Sequence, residues 1–138
     1  MINQTQTTSF KEELYEGVHN LLTDTIKIAL YTAYADLGAD TTVYTTTDEI
    51  TGTGYSAGGN VLTGATVQSS GNTAYVSFNN TSWNNASFTC RGALIYNASK
   101  ANRSVAVLDF GNDKIVVQQT FTIEFPANAV NSAIIRMT

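Results

Sequence analysis

The chain has 138 residues, 43% of them hydrophobic and only 13% charged, with a formal net charge of −4. Charged residues usually make up about a quarter of a globular protein; here Thr, Asn and Ser stand in their place, and Thr favours strands. The length fits one domain with a core that needs no staple, and the basic residues Lys11, Lys27, Arg91, Lys100, Arg103, Lys114 and Arg136 are scattered, without the stripe that a nucleic-acid backbone requires.

In chain order, residues 1–8 are polar and read as a flexible N-terminal arm without a signal-peptide core. Ser9-Phe-Lys-Glu12 has the form of a capping box. Phe10, Leu14, Val18 and Leu21 recur at helical spacing, which predicts a short amphipathic helix over 10–21. A helix this short is marginal in water and must dock on something. After residue 24 the period changes to 2. Ile26, Ile28, Leu30 and Tyr34 share one face of a predicted strand, with Lys27, Ala29 and Tyr31 on the other.

Residues 35–64 read as a long loop, Thr-rich at first and Gly-rich from Gly52. Ala65–Ser70 is a candidate strand and Gly71-Asn72 a turn. Thr73–Asn79 alternates, with Ala74, Val76 and Phe78 inward. Phe88–Asn97 is predicted as a strand with Phe88, Cys90, Leu94 and Tyr96 on one face. Arg103–Phe110 contains Val105-Ala-Val-Leu108, apolar on both faces and so expected to be central. Gly111-Asn112 is a hairpin-type turn. Lys114–Phe125 follows, with Ile115, Val117, Phe121, Ile123 and Phe125 on one face, and Pro126 ends it. Ala133–Met137 is a last short strand. No helices alternate with the strands, so the expectation is all-β: a single antiparallel β-sandwich over 1–138, of jelly-roll or Greek-key type with about seven or eight strands, plus one short N-terminal helix.

The chemistry-bearing patterns do not converge. Gly52-x-Gly54-x-x-Ala57 approaches a dinucleotide fingerprint, but Gly58-Gly59-Asn60 follows where a helix should open. Gly54-x-x-x-x-Gly59 lacks the Lys of a phosphate-binding loop. Asp109-Phe-Gly111 spells a kinase motif without its partner motifs, and Asp109 with Asp113 reads as turn chemistry. His19 is the sole histidine and Cys90 the sole cysteine, so no disulfide can form within the chain, and Cys90 falls on an apolar face. Glu12/Glu13 and Asp48/Glu49 are neighbours in sequence rather than a converging acid–base pair. Asn-x-Ser/Thr sequons at Asn3, Asn79, Asn80, Asn85, Asn97 and Asn102 read as polar loop composition. No catalytic, cofactor or metal site is expected, and no run approaches a membrane span. Tyr34, Tyr44, Tyr55 and Trp83 sit in or beside predicted loops, where aromatics can stack on sugars or fill a partner's pockets.

Three segments carry a resemblance. They are Phe10-Lys11-x-x-Leu14-x-x-Gly17-Val-His19, Asp24-Thr-Ile-Lys27-Ile-Ala-Leu-Tyr31, and Glu49-Ile-x-Gly52-x-Gly54-Tyr55-x-Ala57-Gly58-Gly59. With Phe121-x-Ile-x-Phe-Pro126 and Ala133-Ile-Ile-Arg136, they resemble small structural proteins of tailed bacteriophages, and among these the jelly-roll capsid cement, or decoration, proteins. The resemblance implies a virion protein made in the host cytoplasm that binds the exterior of the expanded shell as dimers or trimers. It also implies bridging of neighbouring major capsid protein subunits, with no enzyme activity, no cofactor, no nucleic acid and no membrane. The arm and the long loop are expected to make those contacts, through Ile2, Thr5, Thr8, Tyr44 and Tyr55, together with Trp83. Two other readings stay open: a tail or head–tail connector component, and a carbohydrate-binding sandwich that uses Tyr55 and Trp83.

Overall fold

The computed structural model describes residues 1–125, 133 and 135–137. Thr5–Gln6 forms β1, Thr8–Tyr15 α1, Ile26–Tyr31 β2, Asn60–Val61 β3, Thr66–Ser70 β4, Thr73–Ser77 β5, Thr81–Asn97 β6, Arg103–Ile123 β7 and Ile135–Met137 β8. The described pairings between these strands are antiparallel, and the isolated bridge Ile2–Leu37 is parallel. One sheet has the order β1-β7-β6-β2-β3 and the other β4-β5-β8. This is the all-β sandwich with one short helix that the period-2 segments predict. Val105–Leu108 is buried and lies in β7, between β1 and β6, which agrees with its two apolar faces. The predicted end at Pro126 lies outside the described residues.

The helix starts earlier and stops sooner than its spacing predicts. Thr7, not Ser9, is the N-cap: its hydroxyl accepts from the Phe10 N–H at 3.3 Å. The helix ends at Tyr15, and Gly17 turns the chain at φ +74°. Leu21 still reaches the core with Phe10, but from an irregular segment.

Residues 1–8 are not a flexible arm. Ile2 is buried, Thr5 and Gln6 pair with Val107 and Ala106, and Thr7 is wholly buried at the cap. Backbone bonds tie the segment down: Asn3 N–H to Leu37 O (2.9 Å), Leu37 N–H to Met1 O (3.0 Å) and Thr8 N–H to Ala39 O (2.8 Å). A short polar strand gives no local hydrophobic signal; the edge of β7 supplies its hydrogen-bond partners.

β6 begins at Thr81, before the predicted Phe88, and β7 runs through Gly111-Asn112 without a hairpin. Gly92 pairs with Asp109 and Cys90 with Lys114, so residues 110–113 bulge out opposite Arg91. Asp109 Oδ1 accepts the Gly111 N–H at 2.9 Å, and Gly111 adopts φ +83°, closing a local turn that returns the chain to its course. Asp109 is thus turn chemistry, and Lys114–Ile123 continues the strand begun at Arg103.

Bulges explain the misplaced faces in β6 and β7. Each extra residue shifts the alternation by one and sends later side chains to the opposite face. Phe88 and Cys90 point into the same core as Ala93 and Ile95, while Leu94 and Tyr96 point away from it. In β7, Val116 is buried whereas Ile115 and Val117, expected inward, are 73% and 64% exposed. Gln118, at φ +48°, marks the next irregularity, and Ile123 is buried again. β5 pairs without a bulge: Val76 packs against the main core and Phe78 is buried in it as expected, but Tyr75 and Ser77 are buried too and Ala74 is exposed. Tyr34 lies past the end of β2 and is exposed.

Two cores result. The main one gathers Phe10, Ile26, Ile28, Leu30, Phe88, Ile95 and Val105, among others. The second covers the opposite face of the large sheet and joins Ala29, Tyr31, Leu94, Tyr96 and Val107 to Ile2, Ala35 and Leu37. Each large side chain buried there contributes about 1.5–3 kcal/mol. Among the described residues no helix is long and apolar enough to cross a membrane.

Candidate functional site

The long loop, expected to await a partner, is held by its own molecule. It contributes β3, isolated bridges Tyr31–Glu49, Val43–Arg103 and Thr53–Ser87, and the buried side chains Ala35, Leu37, Ile50 and Leu62. Its Gly-rich part is glycine because it lies flat against other backbone. A Cβ on Gly59 would sit 1.8 Å from Ile28 O, and one on Gly52 2.5 Å from Ser87 O.

Glu49 is the knot of this loop. Tyr44 donates its hydroxyl to Glu49 Oε1 at 2.6 Å, while Tyr55 OH and the Gly58 N–H (2.8 Å) donate to Oε2. Tyr55 OH in turn accepts the Leu30 N–H at 3.0 Å, and Tyr96 OH donates to Gly58 O at 2.7 Å. The Tyr44 and Tyr96 rings stack at 4.6 Å. Burial pushes the Tyr96 phenol up to about 12. Burial first, and then Glu49, drives Tyr31, Tyr44 and Tyr55 above the usual phenol range. These phenols therefore stay protonated as donors, and the cluster pins the loop rather than activating a hydroxyl.

A second polar network surrounds His19. Asn97 Oδ1 accepts the Ser99 N–H at 3.0 Å, which orients the amide, so Asn97 Nδ2 donates to His19 Nδ1 (2.9 Å) and to Asp24 Oδ2 (2.8 Å). With Nδ1 accepting, Nε2–H donates to Glu13 Oε1 at 2.8 Å. Glu13 also meets Arg103 at 3.2 Å. The Asn20 N–H, and then Asn97, hold the Asp24 carboxyl below the ordinary range. Both nitrogens of His19 are committed to locking the segment after α1 onto β6. Neither is left to act as a base. Cys90 is fully buried, and burial raises its thiol to about 12, far from a reactive thiolate. Among the described residues no group of three or more His, Cys, Asp or Glu gathers to hold a metal.

The residues expected to touch a partner are mostly engaged within the fold. Ile2 and Trp83 are buried, Tyr55 packs on the main core, and Tyr44 packs on the second. Thr5 is half-buried in β1; Thr8 alone is exposed, at the first position of α1. The structure does not bring the six into one surface patch. Among the described residues it leaves open two apolar surfaces that the sequence reading missed. One is a cleft of about 460 Å³ between α1, the segment after it, and the β4-β5-β8 sheet, lined by Phe10, Leu14, Val76 and Ile135. Exposed Leu22 and Val67 also line it. The other is the distal part of β7, where Ile115 and Val117 stand out. An alternation broken by bulges carries no local signal for distal β7, and the cleft is made by segments far apart in the chain.

Comparison with protein-family models, with curated proteins and with solved structures found no match to this chain.

Proposed function

We infer that this chain is a structural protein of a tailed-phage particle. In this reading it decorates the outside of the capsid as a homo-oligomer and stabilises the shell by bridging neighbouring major capsid subunits, without enzymatic activity. The supporting observation is a tightly tied sandwich that presents two separate apolar surfaces, the cleft beside α1 and distal β7. A bridging protein needs more than one adhesive surface on a rigid body, and linked copies raise avidity without a tight single contact. The contacts, with the shell and between copies, are therefore assigned to these surfaces rather than to the N-terminal segment and the long loop.

The sugar-binding reading is weakened, because the Trp83 ring is buried and the Tyr55 hydroxyl is tied to Glu49. The decisive experiment mixes purified protein with expanded capsids that lack it, sediments them and images the shells. Regular density over the shell surface is the expected result. Density confined to a portal vertex or tail would move the protein to the connector or tail reading. No co-sedimentation would remove the virion reading altogether.

A further inference from the structure

β7 is paired on both sides over only part of its length. At Ala106 and Val107 its outer edge carries β1. Beyond the 110–113 bulge, Lys114, Ile115 and Val116 pair with Cys90, Thr89 and Phe88 of β6 on one side, and no described residue pairs with them on the other. Ile115 and Val117 project from this bare stretch at 73% and 64% exposure. A free edge with exposed β-branched residues is a template for another strand. Isolated proteins usually blunt such an edge, and here the blunting devices, the bulge at 110–113 with Lys114 beside it and Gln118 at φ +48°, only bound Ile115–Val117 at its ends.

We propose that the edge of β7 over Ile115–Val117 pairs antiparallel with the same edge of a second copy of this chain, about a two-fold axis at Val116. An antiparallel edge is its own complement: the same row of N–H and C=O groups meets itself under two-fold rotation. An axis normal to the sheet keeps inner faces together, so Ile115 of one copy lies opposite Val117 of the other. Four exposed β-branched side chains then form one cluster. Charge does not oppose this register: Ile115, Val116 and Val117 are the residues that face one another, and Lys114 at the flank lies towards neutral Gln118 rather than towards a like charge. The pairing extends at distal β7 what β1 does for the proximal edge. Its area falls short of the roughly 1,000 Å² of a stable interface, so the dimer is weak alone and forms at high local concentration. The inference does not depend on the capsid reading.

The test is light scattering behind size exclusion, with sedimentation velocity, from micromolar concentrations up to about 1 mM, the range expected for so small an interface. The wild type should move from monomer towards dimer. Ile115→Lys/Val117→Lys should weaken association at least about tenfold, because like charges would then meet across the axis, with an unchanged thermal melt. Register is read by mixing two single variants, Ile115→Cys and Val117→Cys, under mild oxidation; native Cys90 is buried and silent. The mixture should cross-link more than either variant alone. A wild type that stays monomeric overturns the proposal, as does a dimer indifferent to the lysines or equal cross-linking within each variant. A monomer whose lysine variant loses capsid binding would assign the edge to a partner's strand instead.

Discussion

The two ends of the β6–β7 ribbon are built from the same strands and behave differently. At the proximal end, Gly92–Asn97 against Arg103–Asp109, both faces are covered and both edges carry a neighbour, β2 on one side and β1 on the other. At the distal end one face carries core residues such as Phe88 and Val116, while the other shows Ile115 and Val117 to solvent. The strands do not make this difference. It comes from what is laid over them: residues 1–8 and the loop around Ala35, Leu37 and Tyr44 turn the outer proximal face into a second core. A strand residue is core only where a distant segment supplies the covering surface.

The comparison can be broken at four points. The largest effect is expected from Gly59→Ala, whose new Cβ would collide with Ile28 O while the backbone sits at φ +75°. The loop would lift from β2, costing about 4 kcal/mol or more in urea unfolding. Deleting residues 1–6 removes β1 and the buried Ile2 and uncovers the proximal face. A loss of about 3 kcal/mol is expected from lost burial and pairing, with a clear fall in melting temperature; an unchanged melt would return these residues to the status of a loose arm. Glu49→Gln replaces one acceptor oxygen with a donor facing tyrosine hydroxyls or the Gly58 N–H. About 2 kcal/mol should be lost, accompanied by faster amide exchange at Gly58. The sharpest test is a matched pair. Val107→Ala, fully buried at the proximal end, should cost about 2 kcal/mol, whereas Val117→Ala at the distal end should stay within about 0.5 kcal/mol. Equal costs would mean that the outer distal face is covered after all.

Much of the fold was legible because it is local. Ile26–Tyr31 alternates cleanly, carries no bulge and lies in β2 as its pattern says. The Gly71-Asn72 turn joins β4 to β5, with Ser70 opposite Thr73. The helix was legible from Phe10 and Leu14, but its cap was not, since Thr7 and Ser9 are both good caps and contacts with distant β7, Thr7 N–H to Val105 O (3.0 Å) and Ser104 Oγ to Thr7 Oγ1 (2.9 Å), hold Thr7 there. The candidate site was hardly legible. Tyr44 and Tyr55 were noticed as loop aromatics, yet nothing adjacent in sequence indicates that both would converge on Glu49. Trp83, expected in or beside a loop, pairs with Phe121 inside β6–β7.

By itself the sequence determined that this is an all-β chain with a helix near Phe10, roughly where its strands lie, and that its glycines cluster in one crossing segment. Those features follow from residue type and short-range period, which act within a few bonds of backbone. The tertiary structure alone decided which face of each strand is inside, that the first eight residues are tied into the fold, with Ile2 and Thr7 buried, and that Glu49 gathers two tyrosines. Alternation fixes only that neighbours point opposite ways. One bulged residue reverses the sense of everything after it, and whether a face is buried depends on segments far away in the chain.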